Sequence, residues 1–142
     1  MAYKLLDGIR VLDLTMVFAG PVSSRILASM GAEVIKIESY VRPDVFTRGN
    51  VYPENDPGTE PWNRGSLFHS LNAGKLGITL NLGSEKGRDI FKKLVKISDV
   101  VMENYSPRVM ENWGLGYEEL KKIKPDIIMA SMSGLGHTGP LH

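Results

Sequence analysis

Apolar residues recur along this chain with two alternating periods, and the alternation predicts its architecture. Ile9 to Leu14 is a β-branched and leucine run broken only by Arg10 and Asp13, a pattern suited to a strand buried on both faces of a parallel sheet. Thr15 to Ala19 forms the next turn. Gly20-Pro21 opens a helix, because proline in the first helical position gives up an N–H that would be unpaired there anyway. Val22, Ile26, Leu27 and Met30 fall on one helical face, Gly31 supplies a left-handed stop, and Glu33 to Ile37 is the second strand. These elements make one βαβ unit, for which a right-handed crossover is expected.

The rhythm is interrupted once and then resumes. Ser39 to Asn63 is rich in Pro, Gly, Asn, Asp and aromatics, lacks apolar periodicity, and exceeds the roughly 15 residues beyond which a loop needs explanation. It reads as a substrate-side loop or as a disordered excursion. Ser66 to Leu71 adds a helical turn, and Gly77 to Leu82 is a third strand with period-two alternation. Ser84 caps a helix running to about Ile97, with Ile90, Phe91, Leu94 and Val95 on the core face. Lys86, Arg88, Lys92, Lys93 and Lys96 lie on its opposite side, as a solvated face rather than a binding patch. Asp99 to Glu103 is the fourth strand. Ser106-Pro107 repeats the capping signal before Val109, Met110 and Trp113, Gly114 closes that stripe, Tyr117 to Ile123 is a short helix, and Asp126 to Ser131 is the fifth strand. The fold class is therefore α/β: an open, mostly parallel sheet of about five strands flanked by helices.

Ligands of such sheets bind beyond the carboxyl ends of the strands. Thr15 to Ala19, Glu38 to Arg42, Leu82-Gly83 and Asn104 to Ser106 converge on that rim, and Ser133-Gly134 joins them from the fifth strand. Backbone N–H groups and the positive helix end near Val22 and Ser23 can face an anion or a polarised carbonyl; the alternative is a buried connector. The G-x-G-x-x-G dinucleotide fingerprint is absent, although Glu38 sits where dinucleotide folds place a ribose ligand.

Composition narrows the class. A chain of 142 residues predicts a single domain. Seventeen basic against sixteen acidic residues leave a formal charge of +1, no field to draw nucleic acid or an anionic membrane. The lack of cysteine excludes disulfides, Cys-ligated zinc and thiol catalysis, and suits a cytoplasmic enzyme. Met1 to Asp7 lacks the apolar core of a signal peptide, no apolar run approaches membrane-spanning length, and no histidine and carboxylate spacing suggests a metal site.

Five blocks then carry a resemblance: LDGIRVLDLT with AGP, GAEVIKIE, LNLGSEKGR, DVVMENYSP with WGLGYEEL, and SMSGLGHTGP. In order and in register, over nearly the whole chain, they resemble the amino-terminal part of the family III CoA-transferases, the group of formyl-CoA and carnitinyl-CoA transferases and the related 2-methylacyl-CoA racemases. The resemblance implies a Rossmann-like CoA-binding fold and, in complete members, an interlocked ring-shaped homodimer acting on an acyl-CoA and a carboxylic acid. Its coenzyme A contacts would fall on Phe18 and Ala19, on Leu80, Asn81, Leu82 and Gly83, and on Asn104, Tyr105 and Ser106. An Asn amide such as that of Asn104 could read the adenine edge, and Tyr105 or Phe18 could offer a stacking face or simply pack in the core. Lys75 fits the family in the NAGKLG block, but Leu76 stands where the family usually has Arg, Ser39 replaces a base, and Arg108 stands where the family favours Gly. Phosphate anchoring would then rest on Lys75, Arg42 or Arg48.

The family's nucleophile is an aspartate whose carboxylate attacks the thioester, giving a mixed anhydride and then an enzyme-bound CoA thioester. It maps past His142, so no catalytic residue is expected within 1–142, which reads as the amino-terminal CoA-binding domain of a longer enzyme. The racemase His and Asp also map past the end, and His69, His137 and His142 do not align with them. A racemase portion and a non-catalytic nucleotide-binding module are the two alternatives.

Overall fold

The computed structural model describes residues 4–49 and 51–140; His142 lies outside them. Five strands form one sheet: β1 (Arg10–Asp13), β2 (Glu33–Glu38), β3 (Leu76–Thr79), β4 (Val100–Glu103) and β5 (Ile128–Ser131). Their order is β3-β2-β1-β4-β5 and every pairing is parallel. The chain thus runs outward from β1 to β3, returns, and runs outward again through β4 and β5. The gap between the loops leaving β1 and β4 is the point at which the winding reverses, where open α/β sheets bind ligands.

Helices cover both faces. Strand residues Val11, Val34 and Met102 pack with Leu27 and Ala28 of α1 (Ala19–Ser29). Beside α1 lies α3 (Ser66–Asn72), and α2 (Val45–Arg48) packs on α3. On the other face Leu12, Leu14 and Val101 pack with Phe91 and Val95 of α4 (Glu85–Val95), Met110 of α5 (Val109–Asn112) and Leu120 of α6 (Tyr117–Ile123). Alternating apolar residues on a two-sided sheet account for both layers.

Three local expectations are corrected. The buried stripe of α1 is Gly20, Pro21 and Ser24, whereas Ile26 and Met30 of the expected apolar face are exposed. Small residues let the helix lie close to the β1 turn: a Cβ on Gly20 would sit 2.3 Å from Thr15 Cβ. Strand β3 ends at Thr79, three residues early, because its neighbour β2 ends at Glu38; Leu80 still donates its N–H to Glu38 O at 3.0 Å, and the chain then leaves the sheet. Ser106 does not cap α5, whose preceding residue is Arg108 in the left-handed region at φ 71°. Ser84 does cap α4, accepting the Gly87 N–H at 3.1 Å.

The Ser39 to Asn63 stretch is built by side-chain bonds rather than by an apolar period. Glu38 accepts the Asp44 N–H at 2.9 Å and binds Arg48 through both oxygens at 2.7 and 2.9 Å. Arg48 also donates to Trp62 O at 2.7 Å and lies 3.6 Å from the centre of the Phe68 ring. Two short 3-10 turns, Pro53–Asn55 and Pro61–Asn63, complete the segment.

Candidate functional site

Three of the five strands end on a side chain that accepts a backbone N–H from the segment beyond it, and a fourth such residue follows β3. Asp13 accepts from Thr15 at 2.9 Å, Glu38 from Asp44 at 2.9 Å, Asn81 (shortly after β3) from Gly83 at 2.9 Å, and Glu103 from Tyr105 at 2.8 Å. Each contact turns the chain over at the carboxyl edge and spares a donor from going unpaired. Together the four turns enclose a cleft of about 490 Å³ whose walls are Met16-Val17, Glu38-Ser39, Val41-Arg42, Leu80 to Gly83 and Asn104 to Ser106, with Val109 and Trp113 behind them.

Two long-range clamps hold the mouth. The Asn104 amide faces the Met16 backbone, accepting its N–H and donating to its carbonyl, both at 2.8 Å. Asp44, itself buried, accepts the Val17 N–H at 2.8 Å. Val17 needs that hold: it sits at φ 68°, a left-handed conformation that a β-branched residue rarely adopts. One wall is aromatic, where Tyr105 meets Trp113 edge to face with centroids 5.6 Å apart. Burial, then the Glu103 carboxylate, push the Tyr105 hydroxyl up to about 12, so it stays a neutral donor at physiological pH.

Beneath the mouth lies a buried charged cluster. Asp13, Lys36 and Gly77 are in register across β1, β2 and β3 and so share one face. Asp13 receives the Thr15 N–H, the Thr15 and Ser24 hydroxyls and the Lys75 ammonium, the last at 2.9 Å. Lys75 also donates to Pro21 O at 3.1 Å and Asn72 Oδ1 at 2.9 Å, while Lys36 donates to Thr15 O. Burial pushes the Asp13 carboxyl up, but Lys36, Lys75 and the two hydroxyls outweigh it and hold the group below the usual aspartate value.

Placed on this geometry, Leu80, Asn81, Leu82, Gly83, Asn104, Tyr105 and Ser106 all line one cleft. Phe18 and Ala19 do not line it; they stand exposed at the start of α1, next to Val17 on its lip. Asn104 lines the cleft with its amide turned to Met16, two bonds that use one of its N–H donors and one lone pair and make it a clamp on the β1 turn. The expectation for Lys75 is corrected: its side chain is 1% exposed, all three ammonium hydrogens are directed at acceptors, and it lies outside the cleft. Met16, Val17 and Val41 line the cleft as well, inside the rim segments Thr15 to Ala19 and Glu38 to Arg42 expected from the strand ends, and Trp113, expected only as part of an apolar stripe, joins them.

Among the described residues no aspartate lines the cleft; the one carboxylate that does, Glu38, is already bound by Arg48 and the Asp44 N–H. No group of three or more His, Asp and Glu side chains able to hold a metal ion occurs among them, and no helix there is long and apolar enough to cross a membrane.

The family model for CoA-transferase family III matches residues 6–142. The chain is 42% identical over 142 residues to a succinyl-CoA:mesaconate CoA-transferase of Haloarcula marismortui, covering 96% of this chain and 34% of that protein. It is 40% identical over 138 residues to the human succinyl-CoA:glutarate CoA-transferase, covering 97% and 30%. The solved structure of a CAIB/BAIF family protein from Brucella suis superposes with a TM-score of 0.80 at 38% identity, over 94% of this chain and 34% of that one. The chain thus spans about a third of the length of these relatives. By sequence and by fold it belongs to CoA-transferase family III.

Proposed function

We propose that residues 1–142 act as a single CoA-binding domain of an acyl-CoA:carboxylate CoA-transferase, holding the thioester while an aspartate elsewhere in the protein attacks it. The observation that carries this reading is the cleft at the winding reversal, whose walls include seven of the ten residues assigned to coenzyme A from the family blocks. The Leu80 to Gly83 and Tyr105-Ser106 segments contact the ligand through backbone groups, an aromatic face and the free Ser106 hydroxyl. Phe18 and Ala19 meet the part that extends past the lip. Asn104 and Lys75 act at one remove, as positioning residues for the β1 turn.

The chemistry asked of this domain is restraint rather than reaction. In the transferase cycle a carboxylate oxygen adds to the thioester carbonyl and expels the CoA thiolate, leaving a mixed anhydride. The thiolate then attacks the aspartyl carbonyl of that anhydride and releases the first acid, so CoA must stay bound between the two steps. A cleft held open by clamps serves that purpose by limiting the ordering required on binding. Asp13 and Asp44 are buried and fully hydrogen-bonded, which supports placing the nucleophile outside them. The relatives named above are transferases, which favours transfer over racemisation. We extend the reading to a cytoplasmic homodimer of the full-length protein, acting on an acyl-CoA and a carboxylic acid without nucleic acid or membrane; the near balance of charge supports the last point.

Calorimetric titration with CoA tests the cleft. Asn104→Ala, which releases Met16, is expected to weaken binding about tenfold, the size of one well-made hydrogen-bonded contact. Lys93→Ala on the outer face of α4 is expected to leave it unchanged. Equal effects of the two would mean that the ligand binds elsewhere.

A further inference from the structure

Three cations were candidates for holding a ligand phosphate, and the structure separates them. The Lys75 ammonium is closed off by Asp13, Pro21 O and Asn72. Arg48 uses its guanidinium on both Glu38 oxygens and on Trp62 O. Arg42 remains. Ser39 and Arg42 form an isolated antiparallel bridge in which Arg42 donates its N–H to Ser39 O at 3.2 Å and Val41 donates to Ser39 Oγ at 3.2 Å. This tight turn folds the chain back so that Arg42 lines the cleft, while its side chain makes no hydrogen bond or ion pair among the described residues.

Charge bookkeeping around the cleft points the same way. Glu38 is the one acid in the lining and is paired with Arg48, which stands outside it, so Arg42 is the lining charge left without a counter-ion among the described residues. Its field reaches the buried Tyr105 hydroxyl, which belongs to a different rim segment. A guanidinium that lines the cleft, stands open to solvent and is left without a carboxylate partner is matched to a tetrahedral oxyanion, for which its forked donors are suited. We infer that Arg42 is the phosphate anchor of the cleft, reading a phosphate group of a nucleotide-bearing thioester. The inference rests on the CoA-binding reading and adds the residue that supplies its charge recognition.

Titrations of CoA, 3′-dephospho-CoA and pantetheine into wild type, Arg42→Ala and Arg42→Lys, at several salt concentrations, test it. Arg42→Ala is expected to weaken CoA about tenfold or more, as for the loss of a charge-assisted contact, and to flatten the salt dependence. Pantetheine affinity and the unfolding temperature should not move, because the side chain supports no other contact, and Arg42→Lys should restore part of the loss. If the 3′-phosphate is the group read, dephospho-CoA binds wild type as weakly as CoA binds Arg42→Ala. If the pyrophosphate is read, the substitution weakens CoA and dephospho-CoA alike. CoA binding by Arg42→Ala within twofold of wild type, with the same salt dependence, overturns the inference and leaves the cleft assignment standing. Failure of wild type to bind CoA overturns both.

Discussion

Both faces of the sheet carry an apolar cluster, but at the carboxyl end of β1 they meet their helices differently. Towards α4 and α6, Leu12, Leu14 and Val101 pack on Phe91, Val95 and Leu120, all fully buried and all apolar. Towards α1, at the carboxyl end of β1, the equally buried groups are Asp13, Thr15, Ser24 and Lys36, with the Lys75 side chain over them. Burying the first set is a direct gain, roughly 1.5–3 kcal/mol for each large side chain. The second set gains little, since a buried ion pair about breaks even against apolar groups of the same shape. What it does give is geometry: every partner of Asp13 lies on the β1 turn, on α1 or on the segment before β3. The apolar set stabilises the domain; the polar set fixes the turn that borders the cleft.

The largest test of that contrast is a pair of truncations. Phe91→Ala should cost about 3–5 kcal/mol through lost burial and the cavity left behind. Asp13→Ala should cost about 3–5 kcal/mol for another reason, because it strands the buried Lys75 and Lys36 ammonium groups. Urea unfolding as a function of pH tells the two apart. Asp13 is held below the usual carboxylate range, and so is Glu38, where burial is outweighed by the Arg48 and Asp44 hydrogen bonds. A depressed carboxyl contributes stability that is present above its unfolded value, about 4, and is lost as pH falls through the folded one. Wild type and Phe91→Ala should therefore share a steep loss below about pH 4, and Asp13→Ala should show a shallower one. Parallel pH profiles for all three would mean that the polar layer has no special place in the balance.

The apolar layer was legible in the sequence and the polar layer was not. Runs such as Ile9 to Leu14 and the Phe91, Leu94, Val95 stripe advertise their elements because periodicity is a local property, although Ile90, expected on the same face, stands exposed at the edge of the stripe. The α/β class, the sheet and the rim segments follow from it. The clamps are pairings between distant positions: Asn104 with Met16 is 88 residues apart, Lys75 with Asp13 is 62, and Asp44 with Val17 is 27. No window along the chain contains both partners, so Lys75 looked like a loop lysine free to bind phosphate and nothing marked Asn104 as a clamp. The Ser39 to Asn63 segment looked patternless for a different reason: Glu38, Asp44 and Arg48 are near in sequence, but they order it through side-chain hydrogen bonds, which leave no apolar period.

A smaller effect separates holding a turn from merely touching it. Asp44→Ala removes the acceptor of the Val17 N–H and should cost about 1–3 kcal/mol, the penalty for a lost hydrogen bond that leaves a shielded donor. Val17→Gly in the same background should recover part of that, because glycine adopts the left-handed region freely. Chemical denaturation of the single and double variants gives both numbers. Additivity without recovery would mean that Val17 carries no strain for Asp44 to hold.

The smallest expected change is a gain, and it falls on the apolar layer's side of the rim. Arg108 precedes α5 at φ 71°, is exposed, and makes no side-chain cap. The left-handed conformation costs a non-glycine residue about 1–2 kcal/mol, and glycine gives back about 0.5–1 kcal/mol through its freer unfolded chain. Arg108→Gly should thus stabilise the domain by about 0.5–1 kcal/mol, measured as a higher urea midpoint at unchanged m. CoA affinity should hold, because Arg108 does not line the cleft, although it lies only two residues beyond Ser106, which does. A fall in affinity comparable to that of Arg42→Ala would move the cation the ligand reads from the β2 side of the cleft to the β4 side, and with it the division between a layer that stabilises and a rim that binds.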